Sequence, residues 1–291
     1  MLTKAQLDGF YETGYVALRG AMPRQTALDF ARDVWVRLGY DPDDTTTWAQ
    51  HRIHMPSLTS QPVAEFAPSV LEAMGQLCGG LDRIDGEPRW ADSFIVNLGA
   101  DDHEEHWQPA SPDMPGWHKD GDFFRHFLDS PEQGLLVIVL WSDVVHRGGP
   151  TYLAADSVKP IAEYLAARPE GVHPFEFPFS TLIQQCSNFV EATGEAGDVF
   201  LMHPFLLHAS SLNPLRLPRL ITNPPIHLKE PMRFHHPDGN YSPIEQTVLN
   251  SLGVKHLDFT PTQPRERIIP ERVKREQAEK DAQRARLAAQ P

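Results

Sequence analysis

The order of apolar and polar positions predicts that the chain begins with a helix over residues 3–13. Apolar side chains recur there at helical spacing. They are Leu7, Phe10 and Tyr11. Thr3 and Gln6 have the spacing of a capping box, and Gly14 is a typical residue for the end of a helix. A short strand, YVAL (15–18), is expected to follow.

Short apolar segments dominate the chain from about residue 88. They are rich in β-branched or aromatic residues and are bounded by Gly, Pro and Asp. The segments are SFIVNLG (93–99), GLLVIVLWSDV (134–144), PTYLAAD (150–156), DVFLMH (198–203) and RLITNPPIHL (219–228). Short strands at regular spacing are typical of a β-sandwich or a jelly roll.

Further helices are expected around this β region. One fits residues 24–38 and ends at Gly39, another fits about 62–78, and a third fits 157–168 with Ser157 as its N-cap. After Pro264 the chain has many charges and strong helix formers but no apolar stripe. This pattern favours a solvated terminal helix or a frayed tail. The alternative is a helix ordered by a partner subunit, as in a homodimer.

We expect a single domain over residues 1–291, because the sequence contains no internal repeat and no low-complexity linker. Its predicted parts are a mostly helical N-terminal layer (1–87), a β core (88–230) and a C-terminal extension that ends in a charged helix (231–291).

Charge and composition narrow the classes of partner. The net charge of −13 argues against nucleic acid and against an anionic membrane surface. Cys78 and Cys186 form no spacing pattern, so neither a disulfide framework nor a thiolate metal site is expected. The first residues lack the apolar core of a signal peptide, and the longest apolar run, 135–141, is too short to cross a bilayer. We therefore expect a cytoplasmic protein.

Candidate metal ligands occur in the segment GWHKDGDFFRHF (116–127). His118 and Asp120 are two residues apart on a predicted extended segment, so their side chains point the same way and can bind one ion. Such a pair alone is weak evidence. Two histidines and one carboxylate are the ligands of non-haem Fe(II) oxygenases. His203 and His208 are the candidates for the second histidine.

These segments together resemble the phytanoyl-CoA dioxygenase family. The resemblance rests on Trp-His-x-Asp-Gly (117–121), on Gly-Asp-Val-x-x-x-His-Pro-x-x-x-His-x-Ser (197–210) and on an arginine eleven residues after the second histidine. It implies a double-stranded β-helix with helices packed outside. It also implies Fe(II) bound by His118, Asp120 and His208, with Arg219 and Ser210 binding 2-oxoglutarate. The spacing favours His208 over His203, which is expected to have a packing role.

The resemblance also implies an activity. O₂ and 2-oxoglutarate would be consumed, and succinate and CO₂ released, as a C–H bond of a small-molecule metabolite or natural-product intermediate is oxidised. Halogenating relatives replace the carboxylate ligand with Gly or Ala, so Asp120 favours hydroxylation, desaturation or ring formation. Two alternatives remain: a jelly-roll protein that binds a ligand without turnover, and a cupin-like metalloenzyme that does not use 2-oxoglutarate.

Other residues are weaker candidates for the site. Trp141, Thr151 and Asn97 are expected to contact 2-oxoglutarate, although each has a structural role as its alternative. Candidate substrate residues are Phe123, Phe124, Arg125, Trp107 and Arg233, with His235 at the rim. His103 and His106 lie in an acidic loop (100–113) that is expected to be a lid; a second metal site there is less favoured than simple solvation. The loop at 147–157 departs from the family, because Ala154-Ala155-Asp156 replaces the usual Pro-Gly, and Val158 stands where His is usual.

Overall fold

The computed structural model describes residues 1–290, apart from the side chains of 271–275. Twelve strands, numbered in chain order, are found in this part of the chain. They are β1 (Tyr15–Leu18), β2 (Arg52–His54), β3 (Ser60–Pro62), β4 (Arg89–Ala91), β5 (Ile95–Asn97), β6 (Leu135–Leu140), β7 (Thr151–Ala154), β8 (Phe189–Ala192), β9 (Val199–Met202), β10 (Leu207–Ser210), β11 (Arg219–Thr222) and β12 (Pro225–Ile226).

The α-helices surround these strands. They are α1 (Lys4–Thr13), α2 (Arg24–Ala31), α3 (Val34–Leu38), α4 (Val63–Phe66), α5 (Pro68–Cys78), α6 (His103–His106), α7 (Val158–Ala166), α8 (Phe179–Leu182), α9 (Pro243–Leu252) and α10 (Glu271–Ala288). Within the described residues, no helix is long and apolar enough to cross a membrane.

Two antiparallel sheets form the centre of the fold. The large sheet has the order β1-β9-β6-β11-β5-β2, with β12 paired to β6, and the small sheet has the order β10-β7-β8. A separate two-stranded sheet is formed by β3 and β4. Ser210 of the small sheet contacts Arg219 of the large sheet. The architecture is a mainly β jelly roll, a double-stranded β-helix, with helices packed outside, which confirms the predicted fold class.

The longest apolar run, residues 135–141, contains strand β6, and the environment of this strand explains its composition. The strand is central in the large sheet, and all six of its residues are buried. Leu136 and Ile138 line a cavity, so the alternating residues face the other side of the sheet. A strand that is covered on both faces carries a continuous apolar sequence instead of an alternating one.

The beginning of the chain folds as predicted. The Thr3 hydroxyl accepts a hydrogen bond from the Gln6 amide, and the Gln6 side chain accepts one from the Thr3 amide. Gly14 ends α1 in the left-handed conformation, with φ of 72°. Strand β1 pairs with β9, and β2 pairs with β5, so the segment before residue 88 contributes two strands to the large sheet as well as helices.

Two predicted helices are each broken in two. The helix expected over 24–38 is interrupted by a turn at residues 32–33. The helix expected over 62–78 is interrupted at Ala67, whose φ of −153° and ψ of 74° lie outside the helical region. Pro68 follows directly, and a proline disfavours helical backbone angles in the residue before it.

Ser157 lies at the predicted N-cap of α7, but its side chain makes no capping hydrogen bond. Its hydroxyl instead accepts a hydrogen bond from the Leu207 amide at 2.7 Å. Ser157 therefore ties the beginning of α7 to β10, the strand that carries His208.

Helix α9 was not expected, and it packs against α1, α5 and α7. Ser242 and Glu245 form a complete capping box at its start, and Gly253 ends it. Both signals are present in the sequence. The helix expected over 157–168 is confirmed as α7.

The C-terminal helix α10 is neither frayed nor fully solvated, which corrects the expectation from its sequence. It packs against α3. The Arg37 Nε donates to Gln283 Oε1 at 2.9 Å, and Arg286 Nη1 donates to the Arg37 carbonyl oxygen at 2.7 Å. Arg37 and Gln283 are both buried. Polar contacts with the chain's own N-terminal layer replace the missing apolar stripe.

Candidate metal centre

His118 and His208 are joined by their backbones. The His118 amide donates to the His208 carbonyl oxygen at 3.0 Å, and the His208 amide donates to the His118 carbonyl oxygen at 2.9 Å. His208 lies on β10, and on its other side it pairs with Leu153 of β7. The segment that carries His118 therefore extends the edge of the small sheet, and this pairing brings the two imidazoles together.

Three potential ligand atoms converge at this point. One atom from each of His118, Asp120 and His208 lies within 4.8 Å of the others, and this is the one such cluster among the residues that the structure describes. Asp120 Oδ1 is 3.5 Å from His118 Nε2 and 3.4 Å from His208 Nε2. Two imidazole nitrogens and a carboxylate oxygen therefore face a common point.

The other ring nitrogens of the histidines are engaged with the backbone. His118 Nδ1 lies 2.8 Å from the Gly116 carbonyl oxygen, and His208 Nδ1 lies 3.2 Å from the Leu206 carbonyl oxygen. A carbonyl can only accept, so each Nδ1 carries a proton, and when the ring is neutral its Nε2 has a free lone pair for an ion. This tautomer is the one that metal-binding histidines use.

The orientation of the Asp120 carboxylate is fixed by a contact to its second oxygen, Oδ2. Asn223 Nδ2 donates to Asp120 Oδ2 at 2.8 Å, which leaves Oδ1 to the histidines. Burial raises the pKa of Asp120, but in the metal-free protein the charge that His208 and His118 carry when protonated, together with their hydrogen bonds, outweighs it and holds the pKa well below its usual range. The carboxylate is therefore ionised, as a metal ligand must be.

The cluster opens into a cavity of about 810 Å³ between the two sheets. The side chain of His118 is 44% exposed, that of Asp120 is 21% exposed and that of His208 is 8% exposed, so the open side of the cluster is near His118. Apolar side chains line part of the wall. They are Ile95, Met114, Leu136, Ile138, Leu212 and Ile221.

Arg219 lies in the same cavity, as the spacing predicts. It is 1% exposed, and its Nη2 donates a long hydrogen bond of 3.4 Å to Ser210 Oγ. Its Nε and Nη1 are buried and have no partner among the described residues. Burial lowers the pKa of Arg219 to about 9, and the nearby charge of Arg52 contributes. The guanidinium is therefore charged at neutral pH, and no described acidic residue forms an ion pair with it.

Thr151 and Ser210, two of the predicted cosubstrate residues, are also in the cavity wall. They are register partners on β7 and β10, so their side chains share one face of the small sheet. The structure therefore brings together His118, Asp120, His208, Arg219, Ser210 and Thr151 around a single cavity.

Trp141 and Asn97 have structural roles instead. Trp141 is fully buried, donates to Thr222 Oγ1 at 2.9 Å and packs among the rings of Phe30, Phe66 and Trp90. The Asn97 side chain donates to the Ser211 carbonyl oxygen and accepts from the Gly99 amide. Neither residue lines the cavity.

The predicted substrate residues are not among those that line the cavity. Phe123 and Phe124 pack against each other, and Arg125 forms an ion pair with Glu266. The chain turns at Gly121, directly after Asp120, so the residues that follow leave the metal cluster. The ring of Trp107 packs against His146 and Arg147, and Arg233 and His235 line a separate surface pocket.

The other candidate histidines, His203, His103 and His106, have different roles: the first two make hydrogen bonds to the backbone, and the third lines the cavity. His203 Nε2 lies 3.2 Å from the Ile244 carbonyl oxygen, and its Nδ1 accepts from the Phe205 amide, so it offers no free lone pair. Burial lowers its pKa to about 3, which keeps the ring neutral. His103 accepts from the Asn213 amide, whereas His106 lines the cavity.

Four polar residues of the cavity wall were not predicted. They are Arg52, His54, Gln108 and Asn223. Arg52 and His54 belong to a strand of three residues, which is too short for a recognisable alternation. Asn223 directly follows β11, four residues after Arg219, and this position is the only signal that could have pointed to it.

Comparisons with known proteins find distant structural likeness only. No protein-family model and no curated protein sequence matches the chain. HygX from Streptomyces hygroscopicus, with nickel and 2-oxoglutarate bound, is similar at a TM-score of 0.43 and 16% identity, over 77% of this chain and 86% of that one. SnoK, a non-heme alpha-ketoglutarate-dependent carbocyclase from nogalamycin biosynthesis, is similar at 0.44 and 15%, over 78% and 84%. Likeness at this level assigns neither a family nor an activity to the chain.

Proposed function

We propose that this protein is an Fe(II)- and 2-oxoglutarate-dependent dioxygenase, similar to the phytanoyl-CoA dioxygenase family, that oxidises a C–H bond of a small molecule. The observation that carries the proposal is the convergence of His118, Asp120 and His208 in one cavity with Arg219, a buried cation that has no counter-ion in the described part of the chain.

The ligand set suits iron. Two neutral imidazoles and one carboxylate on one side of an ion leave further positions open, which is the arrangement of non-haem Fe(II) oxygenases. The histidine tautomers and the ionised Asp120 match it. A structural zinc site would instead be closed by a fourth protein ligand, and the described cluster contains three.

Arg219 suits the far carboxylate of 2-oxoglutarate. Its Nε and Nη1 have no partner among the described residues, and its Nη2 makes only one long hydrogen bond, so the planar guanidinium can donate two parallel hydrogen bonds to a carboxylate. A buried guanidinium without such a partner is unfavourable, since a charge removed from water must be compensated. Ser210 lies beside Arg219 and can donate its hydroxyl proton to the same carboxylate.

The chain's own residues position the reactants and exclude water. When bound, iron and 2-oxoglutarate supply an oxidant made from O₂, with succinate and CO₂ as the other products. The backbone pairing of His118 with His208 keeps the ligands in place, and the apolar wall restricts water around the reacting C–H bond. Asp120 occupies the ligand position that a halide needs in halogenating enzymes, so hydroxylation, desaturation or ring formation is the proposed outcome.

The proposal is tested by anaerobic titration of the protein with Fe(II) and 2-oxoglutarate. The chelate has a weak visible charge-transfer band, which we expect in the wild type and not in His208→Ala. Asp120→Ala should abolish succinate formation. Arg219→Ala should retain iron but bind 2-oxoglutarate about 10- to 100-fold more weakly, since hydrogen bonds to a charged group contribute about 1.5–3 kcal/mol.

His203→Ala is the matched control. His203 lies a few residues before β10 but does not line the cavity. It should bind iron and 2-oxoglutarate as the wild type does. If the wild type forms no chelate, the proposal is wrong. If iron binds but Arg219→Ala changes nothing, a metalloenzyme that does not use 2-oxoglutarate is the better description.

A further inference from the structure

The cavity contains a second arginine with no function so far. Arg52 on β2 and Arg219 on β11 are both register partners of Asn97 on β5. Partners in antiparallel register point to the same face of a sheet, so both guanidiniums are on the cavity side. Arg52 is exposed at the edge strand, whereas Arg219 is buried. Arg52 therefore belongs to the outer part of the cavity.

Arg52 has no partner of its own. Among the described residues, its side chain makes no hydrogen bond and no ion pair. Other arginines of the N-terminal half do have partners: Arg37 contacts Asp92, Arg83 contacts Glu245 and Arg89 contacts Glu87. A lone guanidinium is not unusual on a surface, but this one lines the cavity of the proposed active site.

The charges around the cavity do not balance. Arg52 and Arg219 face one carboxylate, that of Asp120, and no other acidic residue lines the cavity in the described part of the chain. A divalent ion and the dianion 2-oxoglutarate neutralise each other, so the loaded site keeps one excess positive charge. The molecule as a whole has a net charge of −13, which makes this local excess a feature of the cavity and not of the chain.

We propose that Arg52 binds an anionic group of the substrate, a carboxylate or a phosphate, at the outer part of the cavity. This inference rests on the proposed function. The oxyanion accepts two hydrogen bonds from the guanidinium, as such groups commonly do. The apolar wall formed by residues such as Ile95, Ile138 and Ile221 contacts the rest of the molecule. The substrate is therefore an amphipathic anion, with an apolar body and one acidic group.

The rival role for Arg52 is a second contact to 2-oxoglutarate. Arg52 is close enough to Arg219 to contribute to its lowered pKa. However, the guanidinium of Arg219 has enough free donors among the described contacts to bind one planar carboxylate without help from Arg52. The other end of 2-oxoglutarate is directed to the metal cluster in the proposed arrangement. The position of Arg52 at the exposed edge of the sheet favours the substrate.

The test uses the full chain, loaded with Fe(II) and 2-oxoglutarate under nitrogen, and four probes of equal chain length. These are hexanoate, hexyl phosphate, hexanol and hexylamine, and binding is measured by calorimetric titration. We expect one or both anions to bind at least tenfold more tightly than hexanol and hexylamine. The tighter anion identifies the acidic group as a carboxylate or a phosphate.

Arg52→Gln should weaken binding of the preferred anion about 10- to 100-fold, the effect of losing hydrogen bonds between charged groups. Its dissociation constant for 2-oxoglutarate should stay within about twofold of the wild type, as expected for a residue outside that site. Arg52→Lys should restore part of the anion binding, because it keeps the charge but not the planar fork. Arg89→Gln is the control, since Arg89 is also a strand arginine but does not line the cavity.

The inference is overturned if hexanol binds as tightly as the anions, if no anion binds, or if Arg52→Gln weakens 2-oxoglutarate as much as Arg219→Ala does. The last result would place Arg52 in the cosubstrate site. Failure of the proposed function gives a different result: the wild type would then form no chelate with Fe(II) and 2-oxoglutarate, whatever the probes do. In that case the same four probes, titrated into the metal-free protein, still report on anion binding at Arg52.

Discussion

Asn223 shows how a single uncharged residue can set the geometry of the candidate ligands His118, Asp120 and His208. It contacts the oxygen of Asp120 that faces away from the histidines. Without this contact the carboxylate can rotate about its bond to the side chain, and Oδ1 is no longer held toward His118 and His208. Partners of this kind fix metal ligands in many proteins, although they never touch the ion.

Asn223→Ala should therefore weaken iron binding about 10- to 100-fold. The fold should be unaffected, because Asn223 follows β11 and lines the cavity. Competition with a chelator of known affinity measures the effect. Asn250→Ala is the control, since that asparagine lies on the exposed face of α9 and contacts Gln246. Equal affinities in the two variants would show that Asp120 needs no orienting partner.

The candidate metal ligands could be predicted from the sequence because metal binding requires particular residue types at particular spacings. His118, Asp120, His208 and Arg219 could be found because their spacing resembles a family. Trp141 does not line the cavity, since an aromatic residue beside a strand can face either side of the sheet. Leu136 and Ile138 face the cavity, and the odd-numbered positions face the other way. Arg52 could not be predicted, because nothing in a strand of three residues distinguishes it from a surface arginine.

At the scale of elements, α9 connects the helical layer. It packs on three other helices, and Glu245 in its first turn is fully buried. Glu245 caps α9 and also accepts hydrogen bonds from Arg83, at 2.7 Å, and from the Arg233 amide. Burial raises the pKa of Glu245, but Arg83 and the other donors outweigh it, so the pKa lies below its usual 4.5.

Glu245→Gln should lower the free energy of unfolding at pH 7 by about 2–3 kcal/mol, since it removes a buried charged acceptor. The folded pKa is below the unfolded one, so the wild type has this stability above pH 4.5 and loses it as the pH falls further. The difference between the two proteins should therefore shrink from pH 5 to pH 3. Urea unfolding across this range measures it, with the exposed Glu12→Gln as the control. A pH-independent difference would contradict the charged role.

Elements with strong local signals were predictable, and elements that depend on pairing were not. Helix α1 has a capping box and a glycine stop, and β6 has a long apolar run. Strand β10, which carries His208, has four residues next to a proline-containing turn, and its pairing with β7 and with the His118 segment defines it. Long-range pairing of this kind has no signature in a local window of sequence.

At the scale of the whole molecule, the two ends of the chain are held together by buried polar contacts. Helix α10 contacts the N-terminal layer through Arg37, which also donates to the carbonyl oxygens of Asp92 and Pro56. Arg37 is 2% exposed. This docking could not be predicted, because the charged residues of the C-terminal segment form no apolar stripe and favoured a solvated helix or frayed tail.

Gln283→Ala should lower the free energy of unfolding by about 1.5–3 kcal/mol, since Arg37 Nε then lacks an acceptor in a buried place. Gln277→Ala on the same helix is the control, because Gln277 is exposed and contacts only Asp281 in the next turn. Its effect should be within about 0.5 kcal/mol of zero. Urea unfolding compares the two variants, and equal stabilities would mean that α10 contributes nothing through Arg37.

The backbone pairing of His118 with His208 has a consequence for how long the protein survives. The two residues are 90 positions apart in the chain, so an ion bound by both side chains acts as a reversible crosslink that closes a long loop. Metal would then leave before the sheet edge opens, and unfolding would slow as the free iron concentration rises. Resistance to a protease should therefore follow metal content, and the metal-free form should be the one that a cell removes first.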